Sequence, residues 1–260
     1  MTYCLGIISV HGLVLAADSR TNAGVDYIST YRKMFDFSVV GDRTILLCVS
    51  GNLSITQAVM TSIDRDLANA DIENLHSHQS LYEMADYIGQ KLRQVQARER
   101  EWLEKDGIDA SCNILLGGQI RGQATELYML YSQGNFIKAM PETPFLQIGE
   151  VKYGKPILDR TLTYDTSVED AAKCALLSFD STMKSNVSVG PPIDLVMYRH
   201  NSLEIRHQLT LRRGHPYLLQ VRREWESSLK NAFDRMPSID WNRSHNLELE
   251  PNDFSDFLNH

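Results

Sequence analysis

No apolar run in this 260-residue sequence approaches the ~18 residues that a membrane-spanning helix needs, so no membrane partner is expected. No charged-then-apolar leader precedes the first strand pattern, and a cytoplasmic protein is the expectation. Cysteine is scarce. Cys4, Cys48, Cys112 and Cys174 stand far apart, mostly in apolar stretches, with no C-x-x-C pair. That spacing suits neither a disulfide framework nor a zinc site and predicts buried, reduced thiols. Basic residues are outnumbered, 26 against 33 acidic, for a net charge of −7. The balance argues against a nucleic-acid partner. The one basic cluster, Arg212, Arg213, Arg222 and Arg223, is expected on one solvated helical region. His76 and His78 flank a serine in a polar loop and read as solvated side chains, so neither a metal nor another cofactor is expected. Internal repeats and low-complexity segments are lacking.

What remains is an ordinary globular composition, 43% hydrophobic and 23% charged. The length suits one large domain with ample core. Tyr3–Ser9 and Leu13–Ala17 are apolar runs around the turn Val10-His11-Gly12 and predict an opening hairpin. Residues 21–31 are polar and read as a loop. Short strands are expected over Lys33–Phe37 and Thr44–Ser50. After Gly51, the four-residue spacing of Ile55, Val59, Ile63 and Leu67 predicts a helix. Ser80 and Glu83 form a capping box for a second helix, whose apolar face runs from Leu81 to Val95. Strands are expected at Cys112–Gly118, Glu126–Tyr131, Phe136–Ala139 and Phe145–Ile148. A capping box at Thr166 and Glu169 opens another helix through Met183. Asp194–Tyr198 and Leu203–Gln208 read as a hairpin turning at His200-Asn201, and His215–Phe233 as a last helix. Alternation of strand runs with helices predicts antiparallel sheets with helices outside, an α+β class.

The chemistry starts at Thr2. Removal of Met1 would give this residue both a hydroxyl and a free α-amine. A threonine hydroxyl is a weak nucleophile that needs a base beside it. An α-amine, with a pKa of about 7.7–8.0, can be that base at neutral pH. Cys4, two residues on, reads as apolar filler rather than a second nucleophile, and Tyr3 alternates to the opposite face.

An N-terminal threonine opening a hairpin, Asp18-Ser19-Arg20 at its far end, Lys33 before a short strand and Ser50-Gly51 before a helix resemble the proteasome β-subunits. The long block Ala17–Asp26 carries the resemblance further, towards bacterial members of that group, and it extends to about Leu211. These are N-terminal-nucleophile hydrolases. The resemblance implies a four-layer αββα sandwich of two antiparallel sheets. It implies Thr2 as nucleophile, Asp18 and Lys33 as its acidic and basic partners, and the Gly51 N–H as oxyanion donor. Arg20 would meet a carboxylate near the site or form a structural ion pair, with Ser50 in support.

Three positions depart from the family pattern. Glu150 follows Gly149 where the family has a serine, Asn186 stands in place of an aspartate, and Val189 rather than Ser188 falls at a family serine. The implied function is a threonine-type peptidase acting on peptide or unfolded-protein substrates. It would assemble from copies of itself in a ring or open spiral. Two alternatives stay open: an N-terminal-nucleophile amidase on a small or isopeptide substrate, and a catalytically silent assembly protein. Residues 1–236 would form the β-subunit-like domain. Residues 237–260 would be an extension contacting another copy through Trp241 and Phe254.

Overall fold

The computed structural model describes residues 2–22, 28–239 and 241. Packing divides the chain into a unit ending at Arg222 and a second beginning at Arg223. In the first unit, β1 (Tyr3–Ser9) and β2 (Gly12–Asp18) form the expected hairpin. Every residue of both strands is buried. Such unbroken apolar runs belong to a sheet covered on both faces. β10 (Phe145–Gly149), β11 (Ile193–Arg199) and β12 (His207–Leu211) complete that sheet in the order β10-β1-β2-β11-β12. The second sheet comprises β5 (Met34–Asp36), β6 (Arg43–Gly51), β7 (Cys112–Ile120), β8 (Glu126–Leu130) and β9 (Phe136–Lys138), in sequence order. All pairings in both sheets are antiparallel.

Strand alternation sorts the side chains into three apolar seams, and three seams mean four layers. Tyr3, Leu5 and Ile7 face α3 (Lys155–Thr161) and α4 (Val168–Ser185), meeting Leu158, Ala175 and Phe179. Cys4, Ile8, Leu13 and Leu15 face the other sheet, meeting Leu46, Cys48, Leu115 and Leu127. The far face of that sheet, through Ile45, Leu47, Ile114 and Leu116, receives α1 (Leu53–Leu67) and α2 (Leu81–Lys105). The αββα sandwich expected from the sequence is the observed fold.

Four local expectations need correction. The segment read as a loop over residues 21–31 contains a ribbon of β3 (Arg20–Asn22) and β4 (Ile28–Thr30). The cap of α4 is Ser167, whose Oγ accepts from the Asp170 N–H, while Thr166 Oγ1 instead accepts from the Thr163 N–H. The strand placed at Leu203–Gln208 begins only at His207. Asn201 and Leu203 take left-handed conformations there, and the Gln119 side chain accepts from the Asn201 N–H and the Tyr198 hydroxyl. A buried amide thus holds a longer connection than an alternation pattern can foresee. Finally, Arg212 and Arg213 precede α5 (Pro216–Asp234), leaving only Arg222 and Arg223 on the helix. The short helix α3 was not placed by periodicity. The capping box at Ser80 is present in full, with both reciprocal bonds.

Helix α2 lies directly on the turn between β8 and β9. A Cβ built on Gly89 would stand 2.2 Å from the Gly134 carbonyl oxygen. In Gly89→Ala, overpacking of about 1–3 kcal/mol should outweigh the roughly 1 kcal/mol that alanine gains in a helix. A lower denaturant midpoint than wild type is expected, and an unchanged or raised midpoint would contradict this packing.

Candidate active site

The site begins with how β1 holds Thr2. Tyr3 is buried against Phe179, with ring centroids 4.6 Å apart. Its hydroxyl bonds the Ser178 hydroxyl at 2.6 Å and accepts from Gln147 Nε2 at 2.6 Å. Burial pushes the Tyr3 phenol up to about 12, so it stays protonated and acts as an anchor. Thr2, half-buried, is fixed through its carbonyl, which accepts from the Glu150 N–H at 2.7 Å. That approach requires glycine beside it. Gly149 has φ +86°, and a Cβ there would lie 2.0 Å from the Thr2 carbonyl oxygen.

Asp18, at the end of β2, is fully buried and bonded from three directions. Its Oδ1 accepts from the Tyr3 N–H at 3.0 Å and from Lys33 Nζ at 2.8 Å, and its Oδ2 from the Gly190 N–H at 3.3 Å. Lys33, itself buried, also donates to the Arg20 carbonyl at 2.6 Å. The structure therefore brings Asp18 and Lys33 together at the residue next to Thr2. Burial raises the Asp18 pKa above its ordinary value, outweighing the opposing pull of Lys33 and the two N–H donors.

The supporting residues divide into two places. Glu150, Asn186 and Ser188 form a chain on the Thr2 side. Asn186 Nδ2 donates to Glu150 Oε2, and the Ser188 N–H donates to Asn186 Oδ1, both at 2.9 Å. Ser50 and Gly51 lie on the other sheet, where β6 ends. Gly51 has φ +102°, and a Cβ there would lie 2.3 Å from the Ser111 carbonyl oxygen. It stands one residue before Asn52, the residue that caps α1 through the Ser54 and Ile55 N–H groups. Arg20 meets a carbonyl rather than a carboxylate: among the described residues, its guanidinium donates to the Val187 oxygen at 2.6 Å. Gly190 carries no motif in the sequence, although both Asp18 and Arg20 rely on it. A Cβ there would fall 2.3 Å from the Arg20 guanidinium carbon. Only the adjoining prolines, Pro191 and Pro192, marked the spot.

Other candidates settle elsewhere. Cys4 packs between the sheets with its thiol 3.5 Å from the Val49 oxygen, and burial pushes its pKa well up. All four cysteines are free and buried, as expected. His76 Nε2 bonds the Phe37 carbonyl at 2.8 Å.

The two-sheet sandwich and this clustering define a proteasome-like fold, and comparison supports the same class. The family model described as "Proteasome subunit" matches residues 2–197, and the chain belongs to that family. Within it, the chain is similar to Anbu, the ancestral β-subunit. Anbu from Yersinia bercovieri is 43% identical with a TM-score of 0.86, over 91% of this chain and 99% of that one. The helical assembly of the Anbu complex from Pseudomonas aeruginosa is 43% identical with a TM-score of 0.88, over 92% and 99%. An Anbu (Gly-1) mutant from Hyphomicrobium sp. strain MC1 is 38% identical with a TM-score of 0.85, over 92% and 100%. No curated protein matches the chain. The chain is thus a proteasome β-subunit-like protein. Among the described residues, no helix is long and apolar enough to cross a membrane.

The raised Asp18 pKa carries a sign. The folded state binds this proton more tightly than the unfolded chain. Its stabilising contribution is therefore complete below the unfolded value of about 3.9 and is lost as pH rises through the folded value. The melting temperature of wild type minus that of Asp18→Asn should accordingly fall between pH 4 and pH 7. A difference that grows with pH would show the carboxyl to be held below its ordinary range.

Proposed function

We propose that the chain is a threonine-type peptidase whose nucleophile is Thr2, exposed by removal of Met1. The supporting observation is the buried Asp18–Lys33 pair bonded to the Tyr3 N–H, one residue from that hydroxyl. In this reading the α-amine takes the hydroxyl proton as Thr2 Oγ1 attacks a substrate carbonyl. The Lys33 ammonium favours the ionised hydroxyl and the neutral amine by its field, and Asp18 compensates Lys33. The Gly51 N–H steadies the tetrahedral oxyanion. Collapse expels the amine product, which takes up the proton, and leaves an ester on Thr2. Water, deprotonated by the same α-amine, attacks the ester; the acyl–oxygen bond breaks, the proton returns to Thr2 Oγ1 and the acid product leaves. Glu150 and Asn186 form the wall beside the nucleophile where the family carries a serine and an aspartate, and so bear on rate and substrate choice.

The experiment is intact-mass analysis with and without a peptide epoxyketone, which needs both a terminal hydroxyl and a free α-amine to form its stable adduct. Loss of Met1 with one adduct, abolished in Thr2→Ala, is the expected outcome. Loss of Met1 without an adduct would move the reading to an amidase with a closed, specialised pocket for a small or isopeptide substrate. Retained Met1 would block the amine and leave an assembly protein.

Self-assembly is the second part of the proposal, as a ring or open spiral, in line with the helical assembly of the Pseudomonas relative. The second unit displays Phe233, Met236, Ile239 and Trp241, all at least 65% exposed. Such a run of exposed apolar side chains suits contact with another copy. Phe254 lies outside the described residues. Deleting residues 237–260 should reduce the sedimentation size of the assembly, and an unchanged size would defeat this role.

A further inference from the structure

The Arg20 side chain lines a cavity of about 350 Å³ whose walls are of two kinds. Met183, Val189, Pro191 and Leu218 supply an apolar surface, and Arg20, Arg213 and Arg222 supply three guanidinium groups. Among the described residues, no carboxylate lines it. Arg222 is satisfied by Asp180 at 2.6 Å. Arg20 and Arg213 form no ion pair among the described residues. In a chain of net charge −7, Arg20 and Arg213 thus concentrate positive charge that meets no carboxylate among the described residues.

The cavity is joined to the candidate site by shared residues. Arg20 lines the cavity with its side chain while its carbonyl holds Lys33. The strip after α4 serves both sides: Asn186 bonds Glu150, whereas Val187 and Val189 line the cavity. An occupant would therefore press on the backbone that positions Lys33 and on the loop that carries Gly190.

We propose that this cavity binds an acidic segment of a peptide chain. A glutamate or aspartate carboxylate would sit between Arg20 and Arg213, with a neighbouring aliphatic side chain against Met183, Val189, Pro191 and Leu218. The two kinds of wall select this occupant. A bare inorganic anion would pair with the arginines and leave the apolar wall in water. A purely aliphatic ligand would cover that wall and remove water from unpaired guanidinium groups, which is costly. A carboxylate takes a guanidinium in a forked, charge-assisted pair, and the adjacent side chain completes the burial. The inference rests on the peptidase reading for why a peptide should be present, and it names the substrate class as acidic, anchored away from the bond to be cut.

The test separates binding from turnover by using the full-length Thr2→Ala protein. Fluorescence anisotropy compares a labelled hexapeptide of alternating leucine and glutamate with its glutamine counterpart. The glutamate peptide should bind about tenfold more tightly, as expected for charge-assisted pairing. Arg213→Glu in the same background should erase that preference, and Arg213→Gln should reduce it. Thermal unfolding of both variants should match the parent, since Arg213 is an exposed turn residue. Equal binding of the two peptides, or a preference that survives Arg213→Glu, would overturn the proposal. So would equal binding together with a changed assembly size in Arg213→Glu, which would make the cavity a contact between copies. None of these results depends on whether an epoxyketone adduct forms on the wild type.

Discussion

The structure depends on one carboxylate. Asp18 stands at the end of a strand in one sheet and binds Lys33, which immediately precedes a strand of the other. The same carboxylate takes the Tyr3 N–H at the start of the chain and the Gly190 N–H from the loop after α4. Four segments distant in sequence are thereby fixed at one buried point. Such a pair gives little net stability, because desolvation offsets much of the attraction. Removing one partner, however, would strand a charge at a cost of about 3–5 kcal/mol. A group of this kind specifies geometry more than it adds stability.

Antiparallel sheets with helices outside were legible in the residue pattern, whereas the four-layer sandwich was legible only through the family resemblance. β1 and β2 are apolar up to their last residues, Ser9 and Asp18, the helices α1 and α2 carry apolar faces at helical spacing, and the Ser80–Glu83 box marks a helix start. Asp18 and Lys33 were legible only through resemblance, since a lone aspartate and a lone lysine carry no signal of mutual contact. Gly190 was invisible for a physical reason. Its role is to have no side chain under Arg20 and to offer an N–H to Asp18, and neither property appears as a motif. The shift of the α4 cap from Thr166 to Ser167 reflects two adjacent hydroxyl residues, each able to cap, with acidic residues three positions after both. The late start of β12 was hidden because the deciding interaction, Gln119 with Asn201 and Tyr198, spans about eighty residues.

Two of the positions expected to depart from the family pattern share one structural feature. Glu150 and Asn186 are hydrogen-bonded to each other, and the Glu150 backbone also holds the Thr2 carbonyl. In the proposed reading the glutamate makes this wall longer than a serine would, and the asparagine keeps an aspartate's length without its charge. The wall is anchored at both ends, by Thr2 and by the C-terminus of α4. Glu150 and Asn186 thus form one structurally coupled pair.

The place of β1 in its sheet bears on the nucleophile proposed for Thr2. A chain end is ordinarily among the most mobile parts of a domain. Here the first strand lies between β10 and β2, paired with β10 from Tyr3 and with β2 from Cys4, and the Thr2 carbonyl is clamped as well. The rotational and translational freedom that a terminal group would otherwise lose on meeting its target is therefore already surrendered during folding. For a nucleophile carried on that residue, the entropic part of the activation barrier falls to the folding reaction instead of to each turnover.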